Sequence, residues 1–191
     1  MNNSIHQMIL HTIQDSRSGD LFGVSDFLML GSYDAVKRAL ARLADAKQIT
    51  RVLRGLYQKA DTLPPSIYDV AFAIARQHAW TIIPAEATAL HLLELEKEPP
   101  QDIVFVSDGP YRSYGYAEYH LVFKRRPTRE IKPLSFQTAL VCEAFKAIGE
   151  DNITQAHKEH IKKRYTSKQI SKMIKETQRS RVWIHELIKS L

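Results

Sequence analysis

The chain has 191 residues, 44% of them hydrophobic and 25% charged, with 27 Lys plus Arg against 21 Asp plus Glu and a formal net charge of +6. This composition excludes a disordered or collagen-like chain, and the single cysteine, Cys142, excludes an internal disulfide framework and a multi-cysteine zinc site. With no apolar run of membrane-spanning length and no secretory signal pattern, we expect a soluble, cytoplasmic protein of one domain or two small ones.

The first 62 residues predict a winged helix-turn-helix from the order of their elements. The predicted elements are helix 3–16, strand 21–24, short helix 25–30, helix 32–46, and strands 49–52 and 56–59. In the short helix, we expect Phe27, Leu28 and Leu30 to face inward. Gly31 allows a turn, and Ser32 is a suitable N-cap for the helix that follows.

The helix over residues 32–46 separates apolar from cationic side chains. Its predicted buried stripe is Ala35, Val36, Ala39, Leu40 and Leu43. A recognition helix needs such a stripe beneath a face that binds phosphates and base edges. The candidate DNA-contacting residues are Ser32, Tyr33, Lys37, Arg38 and Arg42 on this helix, with Arg51 and Arg54 on the hairpin or wing. Ordinary surface helices also carry such charges, and winged helices also serve as protein-binding modules, so both alternatives stay open.

Residues 61–66 contain paired prolines, which favour an extended linker and a domain boundary after residue 62. Residues 63–191 predict a mixed α+β domain with a helical C-terminal tail from about residue 150. Its predicted elements before that tail are helices 67–75, 85–95 and 136–148 and strands 80–83, 102–107 and 119–124. We expect a small mixed sheet with helices packed on it.

Two clusters in this second region are candidate partner-binding sites. Tyr111, Arg112 and Tyr114 begin a tyrosine-rich stretch, and these residue types favour interfaces and base stacking. The alternative is that the tyrosines cover the small sheet. Lys124, Arg125 and Arg126 form a dense basic run, which indicates either a phosphate-binding patch or a solvated strand end.

The tail over residues 150–191 carries a net charge of +5, compared with +2 for residues 1–62. Helices are predicted over residues 157–165, 168–179 and 182–191. Three interpretations of this basic tail stay open. It binds an acidic surface of a toxin, it extends the DNA-binding surface, or it consists of solvated helices that pack on the central domain. In the preceding helix, Cys142 is expected to be buried as a small hydrophobe without a redox or catalytic role.

Catalytic signatures are absent from the sequence. It has no Gly-rich phosphate loop ending in Gly-Lys-Ser/Thr, no His-Glu-x-x-His, no Gly-x-Ser-x-Gly and no Asp-x-Asp. His157 and His160 are spaced for one helix face but have no third metal ligand nearby in the sequence. We therefore expect a protein that is not an enzyme and that has neither a cofactor nor a bound metal.

Two blocks of sequence resemble AbiEi-type antitoxins. The first contains Leu30-Gly31-Ser32 and the hairpin Arg54-Gly55-Leu56-Tyr57 within the predicted winged helix. The second and more specific block is Ile83-Pro84-Ala85-Glu86-Ala87-Thr88-Ala89-Leu90-His91-Leu92-Leu93, followed by Val104-Phe105-Val106-Ser107-Asp108-Gly109-Pro110. The resemblance covers about residues 20–130, and Glu86 replaces what is more often a small residue.

The resemblance implies a bacterial antitoxin of a type IV toxin–antitoxin system, associated with phage defence. Its N-terminal domain would repress its own promoter through the candidate DNA-contacting residues, and its C-terminal domain would counteract a nucleotidyltransferase toxin. We therefore expect double-stranded DNA from the promoter region and that toxin as partners. The alternatives are a stand-alone winged-helix protein-interaction module and a regulator without a toxin partner.

Overall fold

The structure is a computed structural model that describes residues 4–191. The fold is α+β, as predicted, and it divides into two compact units with a boundary between Trp80 and Thr81. None of the helices in the described residues has the length and apolarity needed to cross a bilayer.

The first unit has the winged-helix architecture that the sequence predicts. Its elements are α1 (Ile5–Gln14), β1 (Leu21–Gly23), a 3-10 helix (Val24–Leu30), α2 (Tyr33–Asp45), β2 (Ile49–Leu53), β3 (Leu56–Lys59) and α3 (Ile67–Gln77). The three strands form an antiparallel sheet in the order β1-β3-β2. The wing is the β2–β3 hairpin, in which Leu53 is paired with Leu56 across the turn.

Local capping and a shared core explain why α1 and α2 pack as a pair. Ser4 and Gln7 form a capping box at the start of α1, and the Ser32 hydroxyl caps α2 by accepting from the Ala35 N–H. The core between the helices consists of Ile9 and Ile13 from α1 with Val36, Ala39, Leu40 and Leu43 from α2. Four residues of the predicted stripe are thus buried, and the fifth, Ala35, is half-buried.

The prediction that Leu28 faces inward is wrong. Phe27 is buried and Leu30 is half-buried, but the Leu28 side chain is 48% exposed and Met29 is 97% exposed. The segment is a 3-10 helix, in which residues three apart lie on one side. That period places Val24, Phe27 and Leu30 together and turns Leu28 outward.

The first unit includes α3, which the sequence places beyond the boundary after residue 62. The Arg76 guanidinium donates to the Leu21 carbonyl, and the Gln77 amide donates to an Asp26 carboxylate oxygen. The Gln77 carbonyl oxygen also accepts from the Ser25 N–H at 3.0 Å. Residues 62–66 contain no helix or strand, as expected of the predicted linker, but they lead to a helix that packs within the same unit.

Gly23 allows α3 to approach β1 closely. A Cβ atom at Gly23 would lie 2.2 Å from Gln77 Oε1, so we expect Gly23→Ala to displace the Gln77 side chain and its bonds to Ser25 and Asp26. The free energy of unfolding, measured with denaturant, should fall by about 2 kcal/mol. In a Gln77→Ala background the loss should shrink below about 0.5 kcal/mol, whereas an equal loss in both backgrounds would contradict this explanation. Gly115→Ala is the control, because nothing lies within 4 Å of a Cβ there.

The second unit contains a mixed sheet flanked by helices, as predicted. Its elements are β4 (Ile82–Pro84), α4 (Glu86–Leu92), β5 (Asp102–Ser107), β6 (Arg112–Tyr116), β7 (Tyr119–Arg125), α5 (Thr128–Ile131), α6 (Phe136–Ile148), α7 (Gln155–Arg164), α8 (Ser167–Glu176) and α9 (Val182–Lys189), with short 3-10 helices at Glu150–Asn152 and Thr177–Arg179. The strand order is β4-β5-β7-β6, in which β5 and β7 are parallel and the other pairs are antiparallel. The sequence did not predict β6 or α5.

The C-terminal tail is helical, as predicted, and it forms part of the core of the second unit. Ile161 from α7, Met173 from α8 and Ile188 from α9 are each 1% exposed or less. They belong to one cluster with Leu93 and Phe145. The tail therefore contributes packing to this unit, and most of its lysines, including Lys162, Lys163 and Lys175, are exposed.

Cys142 is buried in α6, as the sequence predicts, with 2% of its surface exposed. Burial is the main cause that raises its pKa to about 12, with Lys146 opposing the shift and Glu143 and Glu176 adding to it. We expect a thiol reagent at pH 8 to label the folded chain about 1,000-fold more slowly than the denatured chain, because the thiolate is so scarce. Absorbance after addition of a chromogenic disulfide checks this, and rapid stoichiometric labelling of the folded protein would contradict it.

Candidate nucleic-acid interface

The cationic residues of α2 lie on its solvent side. Lys37, Arg38 and Arg42 are exposed, whereas Val36 and Leu40 on the opposite side have no exposed surface. The Arg38 Nε–H donates to the Asp34 carbonyl oxygen at 3.2 Å, which orients that side chain along the helix. Lys37, Arg38 and Arg42 form no ion pair within the described residues, so their charges are available to an external anion.

Ser32 and Tyr33 are also exposed, at the N-terminus of α2. The Ser32 hydroxyl is used in capping, and Tyr33 is 58% exposed at the first helical position. The first turn of a recognition helix contributes the side chains that contact base edges in helix-turn-helix proteins. The structure therefore brings all five predicted α2 residues to one surface region of the first unit.

Nearby acidic residues only partly oppose this positive surface. Asp26 is engaged by three donors, since one carboxylate oxygen accepts from the Gly23 N–H, the Gln77 amide and the Arg76 guanidinium. Asp34 and Asp45 lie on α2 itself and are exposed. The Asp26 carboxylate is thus directed toward α3, while Asp34 and Asp45 reduce the local positive potential.

The two predicted wing residues both lie on the hairpin. Arg54 is exposed at the turn, where Gly55 has a φ of +83° that favours glycine. The Arg51 guanidinium lies 5.7 Å from the centre of the buried Tyr57 ring, a cation–π contact that restrains the side chain. The hairpin therefore holds one restrained and one freely projecting arginine.

A shallow cleft between α1 and α2 adds a residue that the sequence interpretation missed. Arg38 and Arg42 line it on one side, and Ser4, Ile5 and His6 line it at the start of α1. The N-terminus of a helix attracts anions through its partial positive charge. His6 has no local signature in the sequence, because only the tertiary packing of α1 on α2 brings it near the arginines.

Exposed apolar side chains flank the turn into α2. Met29 is 97% exposed, Tyr33 is 58% exposed and Leu28 is 48% exposed. Large apolar residues at such exposure are typical of contact surfaces. This feature suits a protein partner as well as contacts with thymine methyl groups.

Of the two predicted partner-binding clusters, the aromatic one lies on and just before β6. Tyr111 is 62% exposed, and Arg112 is exposed at the start of the strand. Tyr114 is half-buried, and its ring meets the Phe123 ring edge-on with 6.0 Å between centres. Tyr114 therefore covers part of the sheet, while Tyr111 and Arg112 face solvent.

The basic run at the end of β7 is divided by ion pairs. Lys124 Nζ lies 2.6 Å from a carboxylate oxygen of Glu86, and Arg126 pairs with the buried Glu143. Arg125 is exposed, and alternation along the strand places it on the opposite sheet face from Lys124. The structure thus does not combine these three residues into one patch.

Glu86, at the start of α4, has a positive backbone φ angle. Its φ is +56°, in the left-handed region where residues without a branched or bulky side chain are favoured. Its carboxylate pairs with Lys124 at the surface of the second unit.

The histidine pair singled out in the tail has structural partners. His157 Nδ1 accepts from the Thr154 N–H at 3.2 Å in a capping box, and His160 Nε2 lies 2.7 Å from the Leu93 carbonyl oxygen. Within residues 4–191, no three His, Cys, Asp or Glu side chains are grouped as metal ligands. His157 therefore helps to cap α7, and His160 attaches α7 to the residue that ends α4.

A comparison with curated proteins finds no significant match. Residues 8–174 match a family of unknown function, DUF6088, across both units. Since this match covers most of the chain, the protein belongs to the DUF6088 family.

Proposed function

We propose that the protein is a DNA-binding transcriptional repressor of its own promoter. The observation that carries the proposal is the surface of α2, where Lys37, Arg38 and Arg42 are exposed above a buried apolar stripe and form no ion pair with any residue from 4 to 191. Positive side chains placed on a rigid helix bind phosphates without having to break existing ion pairs. The winged-helix fold supplies the docking geometry for such a helix.

In this proposal, α2 enters the major groove and the wing contacts the adjacent backbone. Tyr33 at the first turn lies where base edges are read, and Arg38 and Arg42 bind phosphates or the acceptor edge of guanine. Arg54 at the tip of the wing contacts a neighbouring phosphate or the minor groove. Phosphate contacts fix position, and the first turn of α2 gives specificity.

We further propose that the second unit acts as the antitoxin of a type IV system, against a nucleotidyltransferase toxin. Support comes from the resemblance over residues 83–93 and 104–110 to AbiEi-type antitoxins. These two blocks meet in space, since the Val104 N–H donates to the Thr88 hydroxyl at 2.8 Å. The whole protein would then be a cytoplasmic regulator with one DNA-binding and one toxin-directed unit.

Gel-shift titration on the upstream region of the protein's own reading frame tests the repressor proposal. Specific binding should exceed binding to a shuffled duplex of equal length by at least about 1,000-fold, and the observed affinity should fall steeply with salt. Equal affinity for both duplexes would refute it. Co-expression with the product of a neighbouring nucleotidyltransferase frame tests the antitoxin role, which fails if growth is not restored.

A second candidate function is a winged-helix module that binds protein. The exposure of Leu28, Met29 and Tyr33 around the turn into α2 favours it. This alternative predicts no salt-dependent affinity for DNA. It also predicts that Met29→Lys abolishes capture of the partner, whereas a DNA-binding role predicts retained or stronger DNA affinity in that variant.

A further inference from the structure

Strand β6 forms an open edge of the second sheet. It pairs on one side with β7 in unbroken antiparallel register from Arg112 with Phe123 to Tyr116 with Tyr119. The hairpin turn between β6 and β7 has only two residues, so Tyr116 and Tyr119 form a hydrogen-bonded pair. Its other side has no neighbouring strand within the described residues.

The direction of each backbone group on β6 follows from the neighbouring strands. The His120 N–H donates to the Gln101 carbonyl oxygen at 3.0 Å, so His120 bonds toward β5. Its partner in the β6–β7 pair, Gly115, is therefore in a pair without hydrogen bonds. Because hydrogen-bonded and non-hydrogen-bonded pairs alternate along antiparallel strands, the backbone groups of Arg112, Tyr114 and Tyr116 are the ones that bond to β7. The N–H and C=O groups of Ser113 and Gly115 consequently point to the open edge.

Apart from the charge of Arg112 at its first position, this edge lacks the protection that exposed strands usually carry. β6 contains no Pro, no Lys and no bulge, and Arg112, Ser113 and Gly115 are exposed in the folded chain. Natural sheets use those devices to prevent strand addition. The opposite edge strand, β4, is only three residues long and is buried.

We propose that β6 pairs with β6 of a second copy of this chain, giving an antiparallel dimer with its two-fold axis at Tyr114. In this register, Ser113 lies opposite the partner's Gly115 and forms a hydrogen-bonded pair with it. The symmetry creates two such pairs and therefore four new backbone hydrogen bonds. The two four-stranded sheets become one continuous sheet.

The side chains of β6 suit this self-pairing. Arg112 lies opposite the partner's Tyr116, so a guanidinium meets an aromatic ring and like charges do not face each other. The partner's Glu118, in the turn beyond β6, lies on the diagonal from Arg112 and supplies the opposite charge. On the other face, Gly115 leaves open space beside the partner's Ser113.

The dimer is expected to be weak, because a five-residue strand pair buries less than a standard protein interface. Amide hydrogen exchange followed by NMR tests it between low concentration and about 1 mM, where a dimer with a dissociation constant below that value is well populated. The amides of Ser113 and Gly115 should gain protection as concentration rises, while Tyr114 and Tyr116 stay protected throughout. Concentration-independent exchange of Ser113 and Gly115 would overturn the proposal.

A matched pair of variants separates pairing from folding. Ser113→Pro removes a donor that faces the open edge and costs no bond within the chain, so it should abolish dimerisation in sedimentation equilibrium. Ser113→Ala retains the N–H and should dimerise like the natural chain. Retained dimerisation in Ser113→Pro would overturn the proposal.

A cross-linking experiment tests the register and distinguishes other occupants. Tyr114→Cys brings two thiols together at the two-fold axis, at a Cα separation of about 4.5 Å that a disulfide spans. Mild oxidation should convert the Tyr114→Cys variant to a covalent dimer at least about tenfold faster than the Arg112→Cys variant. In the second variant the two introduced thiols of the dimer lie too far apart for a disulfide. Equal rates of disulfide formation in the two variants would overturn this register. The proposal would also be overturned if an added acidic peptide, and not a second copy of the chain, protected the Ser113 amide from exchange. Slow labelling of Cys142 reports that each variant is folded.

Discussion

Replacing Lys37, Arg38 and Arg42 together by Ala is expected to weaken binding to upstream DNA by about 100-fold at low salt, since each lost contact to a phosphate is charge-assisted. The slope of log affinity against log salt should become shallower by about 2.7, because each neutralised phosphate contributes about 0.9. The three side chains are exposed and have no ion-pair partner within the described residues, so their removal leaves the fold unchanged. Gel-shift or anisotropy titrations at four salt concentrations measure both quantities.

The control removes the same charge from the other unit. Lys162, Lys163 and Lys175 lie on α7 and α8, are exposed, and form no ion pair in the described part of the chain. Their replacement by Ala should leave the slope within about 0.5 of the natural value if α2 is the interface. Equal losses in both triple variants would mean that overall charge binds DNA, and the recognition role of α2 would be rejected.

The first unit was predictable because its signals are local. Ser32 caps α2, and the apolar spacing from Val36 to Leu43 identifies the buried side of the helix without tertiary information. Gly55, between the two strands of the wing, marks the hairpin turn. The cationic face of α2 follows directly, because the residues that remain outside the stripe face solvent.

The structure differs from the sequence-based expectation where a different period or a distant contact decides the packing. An α-helical period places Leu28 inside, whereas the 3-10 period of this segment turns it outward. The packing of α3 depends on Gln77 reaching Ser25 and Asp26, some fifty positions earlier in the chain. A proline pair looks the same in the sequence whether it separates two units or only two elements.

In the second unit, too, local sequence does not reveal how the candidate partner sites are arranged. β6 contains only Tyr114 and Tyr116 as alternating half-buried residues, with exposed Ser113 and Gly115 beside them, and this pattern is too short to distinguish a strand from a tyrosine-rich loop. The basic run over Lys124–Arg126 looks continuous in the sequence, yet Glu86 and Glu143 each neutralise one of its members. Both acidic partners lie at least seventeen positions away, beyond the reach of local charge patterning.

The tail is attached to α6 through the carboxylate of Glu176. One carboxylate oxygen accepts from the Ser135 N–H at 3.0 Å, from the Ser135 hydroxyl at 2.7 Å and from the Thr138 hydroxyl. These donors belong to the N-terminus of α6, where a negative charge is favourable. Burial raises the pKa of Glu176, but the hydrogen bonds from Thr138 and Ser135 and the charge of Lys172 outweigh it, so the pKa lies below its usual value.

Glu176→Gln is therefore expected to lower the free energy of unfolding by about 2 kcal/mol at pH 7, since a neutral acceptor replaces a charged one at three donors. Because the pKa of Glu176 is lowered in the folded state, its carboxylate contributes fully to the free energy of unfolding above the ordinary carboxylate pKa. This contribution is lost as the pH falls through the folded-state pKa. Denaturant unfolding of both proteins should consequently converge on acidification. Glu186→Gln removes the same charge from an exposed pair with Lys189 and should cost less than about 0.5 kcal/mol. A constant difference between Glu176→Gln and the natural chain from pH 7 to acid would show that packing, and not the carboxylate charge, attaches the tail.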